Sequence, residues 1–205
     1  MKHDTNFYDP VDFPQLREIF DNWQIMAQEL AELKVPVMEV NRIGKSHVEV
    51  YQDILSQVMS GKEYGWVKGW GENKENSDWL QLALIIQDHP MEFLPGKLER
   101  TMSMLGKLSG LKVCALVKMN SRTMLHMHQH PEIESENLLQ LHLTLDVPET
   151  QNYNYLNVNG EFRQHSLGEP ILFSGAKDHF AFNESLGSRT ILYMEFSKDN
   201  LACAD

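Results

Sequence analysis

The chain has 205 residues, 42% of them apolar and 23% charged, and a net charge of −11. This length and composition fit one globular domain, 1–205, with a core large enough to stand without staples. The acidic balance excludes binding to a nucleic-acid backbone or to anionic lipid, both of which need a basic footprint.

The first half reads helical. Phe13, Leu16, Phe20, Trp23, Met26, Leu30 and Leu33 recur at three- and four-residue spacing, and Pro36 blocks continuation. Val48, Tyr51, Ile54, Leu55 and Val58 predict a second helix that ends near Gly61. GKEYGWVKGWGENKENSD reads as a long loop, with Trp66 and Trp70 as core plugs or part of a substrate wall. WLQLALII is a predicted strand, and Leu98 to Leu108 a short helix. No apolar run approaches the roughly 18 residues of a membrane helix. MKHDTNFYDP has no hydrophobic signal core. Cys114, in LKVCALVKM, reads as a buried small hydrophobe, and Cys203 as a mobile terminal residue. With no disulfide framework, a reducing, cytoplasmic setting is expected.

From Leu111 the pattern changes to short alternating or β-branched runs parted by turn residues. These are LKVCALVKM, RTMLHMHQH, LLQLHLTLDV, YNYLNV, EFRQHSL, PILFSG, HFAFN and TILYMEF. Asn159-Gly160 between two of them is a hairpin signal. The expected architecture is mainly β with N-terminal helices (α+β), a sandwich, jelly roll or small barrel. The helical part, 1–110, would pack on the sheet and add the first strands. A core at 111–197 would carry the site.

The chemistry concentrates in HMHQHPE. His126, His128 and His130 alternate, and on an extended strand they would share one face with Glu132 next in register. Imidazole plus carboxylate suits iron, manganese, zinc or copper. The bland alternative is a solvated edge strand or a hydrogen-bonded core histidine. His179 follows 51 positions after His128, room for a rolled sheet to return to one mouth. His142, among leucines, reads by itself as a satisfied core residue. Arg189 reads either as a surface cation or as a carboxylate grip facing an apolar mouth.

The stretch from about Asp78 to Phe196 resembles the aspartyl/asparaginyl β-hydroxylase family of Fe(II)/2-oxoglutarate-dependent oxygenases. The landmarks are DWLQLAL, LERTMSMLGKLSGLKVCALVKM, HQHP, LHLTLDVP and GEPILFSGAKDHFAFNESLGSRTILYMEF. The resemblance implies a double-stranded β-helix, a cupin-like jelly roll. It implies iron ligands at His128 and His179, with His126, His130 and Glu132 as contenders for the first ligand. It implies a 2-oxoglutarate site formed by Arg189, ten positions after His179, and by His142, Trp79 and Gln140. The activity implied is hydroxylation of an unactivated C–H of a small-molecule or peptidyl substrate, with O2. One departure concerns the strand before His142, where the family's arginines are replaced by Leu138 and Gln140, leaving the substrate class open. Asn183, Asp178 and Gln140 are candidate partners for the imidazoles. Two other readings compete. A cupin without 2-oxoglutarate would use His126, His128, Glu132 and His179 as four ligands. A metal-free protein-binding module would use its acidic surface, and its N-terminal helices would be a candidate homodimer face.

Overall fold

The computed structural model describes residues 5–41, 44–45, 47–69, 76–94 and 96–203. Trp70 lies outside them. The N-terminal part carries β1 (Phe7–Tyr8), α1 (Arg17–Asp21), α2 (Trp23–Glu32), β2 (Val37–Met38), α3 (His47–Met59), β3 (Trp66–Gly69), β4 (Asn76–Ile86), β5 (His89–Pro90), α4 (Glu99–Leu105) and β6 (Leu108–Ser109). Then follow β7 (Leu111–Met119), β8 (Thr123–His128), α5 (Pro131–Ser135), β9 (Leu138–Asp146), β10 (Asn154–Val158), β11 (Glu161–Gln164), β12 (Pro170–Phe173), β13 (His179–Asn183), β14 (Arg189–Ser197) and β15 (Ala202–Cys203).

The stripe from Phe13 to Leu33 is not one helix. Two 3-10 turns precede α1, and Asn22 breaks α1 from α2. Its side-chain amide donates to the Glu18 carbonyl at 2.8 Å, an alternative to a backbone bond that asparagine readily offers. The long loop around Trp66 contains β3, which pairs with β4, so Trp66 is a strand residue packed on the core. Cys203 is exposed but held, because β15 pairs with β6. Cys114 is buried.

Two sheets face each other, antiparallel throughout except where β2 runs parallel to β3. The larger runs β1-β12-β9-β14-β7-β4-β3-β2, with β5 on β4; the smaller runs β11-β10-β13-β8. This is a double-stranded β-helix. The large sheet extends beyond the stretch that starts at Leu111, since β3 and β4 belong to it. Asn159 and Gly160 take φ of +49° and +85°, and Val158 pairs with Glu161. A two-residue type I′ turn needs positive φ at both positions, which this dipeptide tolerates.

The central strand β9 explains where a site can lie. It is buried from Leu138 to Leu145, so both faces are covered. Leu139, Leu141, Leu143 and Leu145 face a core completed by Leu16, Ile19 and Met26 from the helices. The alternate residues Gln140, His142 and Thr144 face the second sheet. There the apolar cluster is small: Met119, Leu156, Val158, Ile171, Phe173 and Ala181. Polar residues occupy the rest of that space.

Gly175 is fitted closely to this face. A Cβ there would stand 1.9 Å from Gln140 Oε1, while its carbonyl accepts from the His130 backbone N–H at 2.8 Å. Gly175→Ala should destabilise the fold by about 1–3 kcal/mol through overpacking. Urea unfolding checks this; an unchanged midpoint would mean that Gln140 swings aside freely.

Candidate metal centre and anion site

Three imidazoles converge at one end of the small sheet. His128 on β8 and His179 on β13 are direct cross-strand partners with ring centroids 4.2 Å apart. His130, at the start of α5, stands 5.1 Å from the first ring and 5.4 Å from the second. Ligand atoms of all three lie within 4.8 Å of one another.

His126 is not brought to this cluster. On β8, Leu125 pairs with Ala181 and His128 with His179, three steps against two on β13. That extra residue is a β-bulge, which resets the alternation. Leu125 and His128 then face inward, while His126 and Met127 are exposed. Glu132 is not in strand register either, because Pro131 opens α5. Its Oε1 lies 3.1 Å from His130 Nδ1.

Each ring is oriented through Nδ1. His128 Nδ1 donates to the His126 carbonyl at 2.6 Å, and His179 Nδ1 to the Lys177 carbonyl at 2.8 Å. A carbonyl only accepts, so these Nδ1 atoms carry the protons and each Nε2 keeps a lone pair. Such bonds set the tautomer of a metal-binding imidazole. Burial lowers the pKa of His128 and takes His179 to about 4, against the weaker upward pull of their carbonyl partners. Both are neutral near pH 7, the form that ligates. The donor set fits a divalent transition metal. Asn183 and Gln140 do not contact these rings. Asn183 ties the Met119, Asn120 and Gly187 carbonyls together. Asp178 accepts from Gln129 Nε2 at 2.9 Å.

A file of rings leads inward. Phe173 lies 5.6 Å from His179 and 4.9 Å from His142. His142 Nδ1 and His165 Nε2 are joined at 3.1 Å. Arg189 Nη1 donates to the His165 ring, 3.2 Å from Nδ1 and 3.3 Å from Nε2. His165 lies in the strand-like run EFRQHSL, and no sequence motif singles it out. It follows the exposed strand β11 and is fully buried, with its backbone N–H donating to the Asn154 carbonyl at 2.9 Å.

Arg189 is 2% exposed, and its Nε is buried without a partner. Among the described residues no carboxylate pairs with it. Burial lowers its pKa to about 10, so it stays cationic at pH 7. Trp79 shares its row across the sheet, with Met119 between them. The Trp79 Nε1 is also buried and unpartnered. Gln140 is not brought to Arg189. It bonds instead to Tyr193 and Glu195 at the other end of the strand.

His142 and His165 have pKa values well below the ordinary histidine value, from burial first and the Arg189 charge second. A depressed histidine pKa gives stability that is full above about 6.5 and is lost as pH falls toward the folded value. Each unit of depression is worth about 1.4 kcal/mol. Urea midpoints of the metal-free protein should therefore fall between pH 7 and pH 5. A flat profile would show that these rings are not buried in neutral form.

The aspartyl/asparaginyl β-hydroxylase profile matches residues 20–199, most of the chain. The chain belongs to this family. Membership makes it an enzyme of the hydroxylase, or oxygenase, type. No curated protein matches it significantly. Several solved structures are similar at low identity. A 2OG-Fe(II) oxygenase family oxidoreductase from Burkholderia pseudomallei is 13% identical, covering 84% of this chain and 100% of that one, with a TM-score of 0.46. KdgF from Halomonas sp. is 16% identical, covering 67% and 90%, with a TM-score of 0.39. A Cupin_2 domain of an XRE family transcriptional regulator from Enterobacter cloacae is 12% identical, covering 58% and 96%, with a TM-score of 0.39. All three TM-scores lie below 0.5. Among the described residues no helix is long and apolar enough to cross a membrane.

Proposed function

We propose that this hydroxylase is an Fe(II)/2-oxoglutarate-dependent dioxygenase acting on an unactivated C–H of a small-molecule or peptidyl substrate. One observation carries the reading: a buried guanidinium without a counter-charge, joined by His165 and His142 to a three-imidazole cluster. An unpaired buried charge is costly unless a ligand completes it. A dicarboxylate spanning the two stations would do so. Arg189 is suited to grip its far carboxylate in a two-pronged fork. His142 and Trp79 would line its path, and Phe173, Ile171 and Met119 would keep water out.

His128 and His179, with His130 beside them, would hold the metal through Nε2. Bound iron with 2-oxoglutarate and O2 would supply the oxidising power for hydroxylation, with succinate and CO2 as coproducts. The protein's share is position: His128 and His179 held with Nε2 free, a buried cation further in, and apolar side chains between them.

The cupin alternative needs His126 as one of four ligands, and His126 faces away. A metal-free binding module would leave the three lone pairs and the guanidinium without a purpose. Anaerobic titration with Fe(II), then with 2-oxoglutarate, tests the proposal. Thermal stabilisation by both, followed by succinate formation in air, is the expected result. Stabilisation by Fe(II) alone would favour the cupin reading, and by neither the binding module.

A further inference from the structure

A second uncompensated charge lies on the same face as Arg189. Glu195 is six residues further along β14, roughly 20 Å at about 3.3 Å per residue. It is 8% exposed. Its Oε1 accepts from the Tyr193 hydroxyl and from Gln140 Nε2, the latter at 3.2 Å. Gln140 Nε2 also donates to the Tyr193 oxygen at 2.6 Å. These donors are neutral. No lysine, arginine or histidine pairs with Glu195 among the described residues. Gln140 Oε1, in the same group, is buried and accepts from nothing. The group therefore holds more acceptors than the protein supplies donors for.

The position ties this group to the candidate metal centre. Glu195, Gln140 and Phe173 are cross-strand neighbours in one row. Phe173 packs 5.6 Å from the His179 ring. Gly175 lies against the Gln140 amide and bonds the His130 backbone. Along the face the order is Arg189, then the rings and imidazoles, then Glu195. A buried anion and a buried cation, too far apart to pair, flank the candidate reaction point.

We propose that Glu195, held by Tyr193 and Gln140, recognises an ammonium or guanidinium group on the substrate. The inference rests on the proposed hydroxylase reading in one respect: Arg189 is taken by the cosubstrate's carboxylate, so Glu195 faces the substrate. An ammonium offers three donors and a guanidinium five, which suits an acceptor-rich group of side chains. The substrate class is thus cationic, an amine or guanidine compound or a basic side chain of a peptide, and not an acid.

Three five-carbon probes with different ends test this: cadaverine, 1,5-pentanediol and glutarate. Each is titrated calorimetrically into the full chain, anaerobically, with and without Fe(II) and 2-oxoglutarate. Cadaverine is expected to bind at least tenfold more tightly than either of the others when 2-oxoglutarate is present. Glu195→Gln should remove at least tenfold of that affinity and change 2-oxoglutarate affinity less than twofold, with partial recovery in Glu195→Asp. Should Glu195→Gln fail to fold, transferred nuclear Overhauser effects from cadaverine methylenes to the Tyr193 ring of the unaltered protein decide the matter. With 2-oxoglutarate bound, tighter binding of glutarate or the diol, no cadaverine binding, or no effect at Glu195 overturns the proposal. Failure of Fe(II) or 2-oxoglutarate to bind while cadaverine still needs Glu195 would instead sink the Fe(II)/2-oxoglutarate reading alone.

Discussion

Replacing Arg189 with methionine is expected to weaken 2-oxoglutarate at least 100-fold while leaving the protein no less stable. The side chain is among the largest fully buried ones, and its Nε has no partner. A hydrogen bond to a charged group contributes about 1.5–3 kcal/mol. Two of them, lost together, amount to roughly 3–6 kcal/mol, or about 10²–10⁴ in affinity. Stability moves the other way. A buried charge without a counter-ion costs several kcal/mol, and an apolar side chain of similar length avoids that cost. The opposing loss is the single contact with His165. Calorimetry with 2-oxoglutarate and urea unfolding measure the two quantities separately. Unchanged cosubstrate affinity together with a large loss of stability would make Arg189 a structural residue.

His179→Ala should lower Fe(II) affinity by at least 100-fold. His179 is the one buried member of the three-imidazole cluster. Its proton is fixed on Nδ1 by the Lys177 carbonyl, and its partner across the ladder is His128. Disturbing a group that merely orients a ligand commonly costs 10–100-fold in metal affinity. Removing a ligand should cost no less. The loss of one backbone-bound ring should lower metal-free stability by only about 1–2 kcal/mol. Anaerobic Fe(II) titration checks the first value. An affinity equal to the parent's would place the metal elsewhere or nowhere.

The two effects differ in kind. Arg189→Met should spare Fe(II), because the guanidinium reaches the imidazoles only through His165, His142 and Phe173. His179→Ala should impair both ligands, because 2-oxoglutarate would lose its anchor on the metal. Parallel losses of Fe(II) and 2-oxoglutarate in Arg189→Met would show that the two stations form one mechanical unit.

Much of the frame was legible in the chain itself. The alternation of LLQLHLTLD assigns leucines to one face and Gln140, His142 and Thr144 to the other, whatever lies opposite. Asn159-Gly160 marks a hairpin because two adjacent residues must take positive φ there. The spacing of His128 and His179 anticipates a shared mouth, and they lie side by side. These features depend on residues close in sequence, where the periods of strand and turn act directly.

Other features were beyond such reading. His126 has the same local spacing as His128, yet a bulge against β13 turns it outward. Asn22 splits a continuous apolar stripe by bonding back to Glu18. Glu132 leaves strand register because Pro131 opens a helix turn. His165 sits in the strand-like run EFRQHSL, where nothing marks it as a site residue, and only the fold carries it beneath Arg189.

Local periodicity thus dictated which segments become strands and which side chains share a face. Three-dimensional closure of the two sheets chose the His128–His179 pairing, left Arg189 and Glu195 without counter-charges among the described residues, and set His165 between Arg189 and His142. Register across a ladder and burial against a second sheet depend on distant segments, and a one-residue shift in either reverses which groups meet.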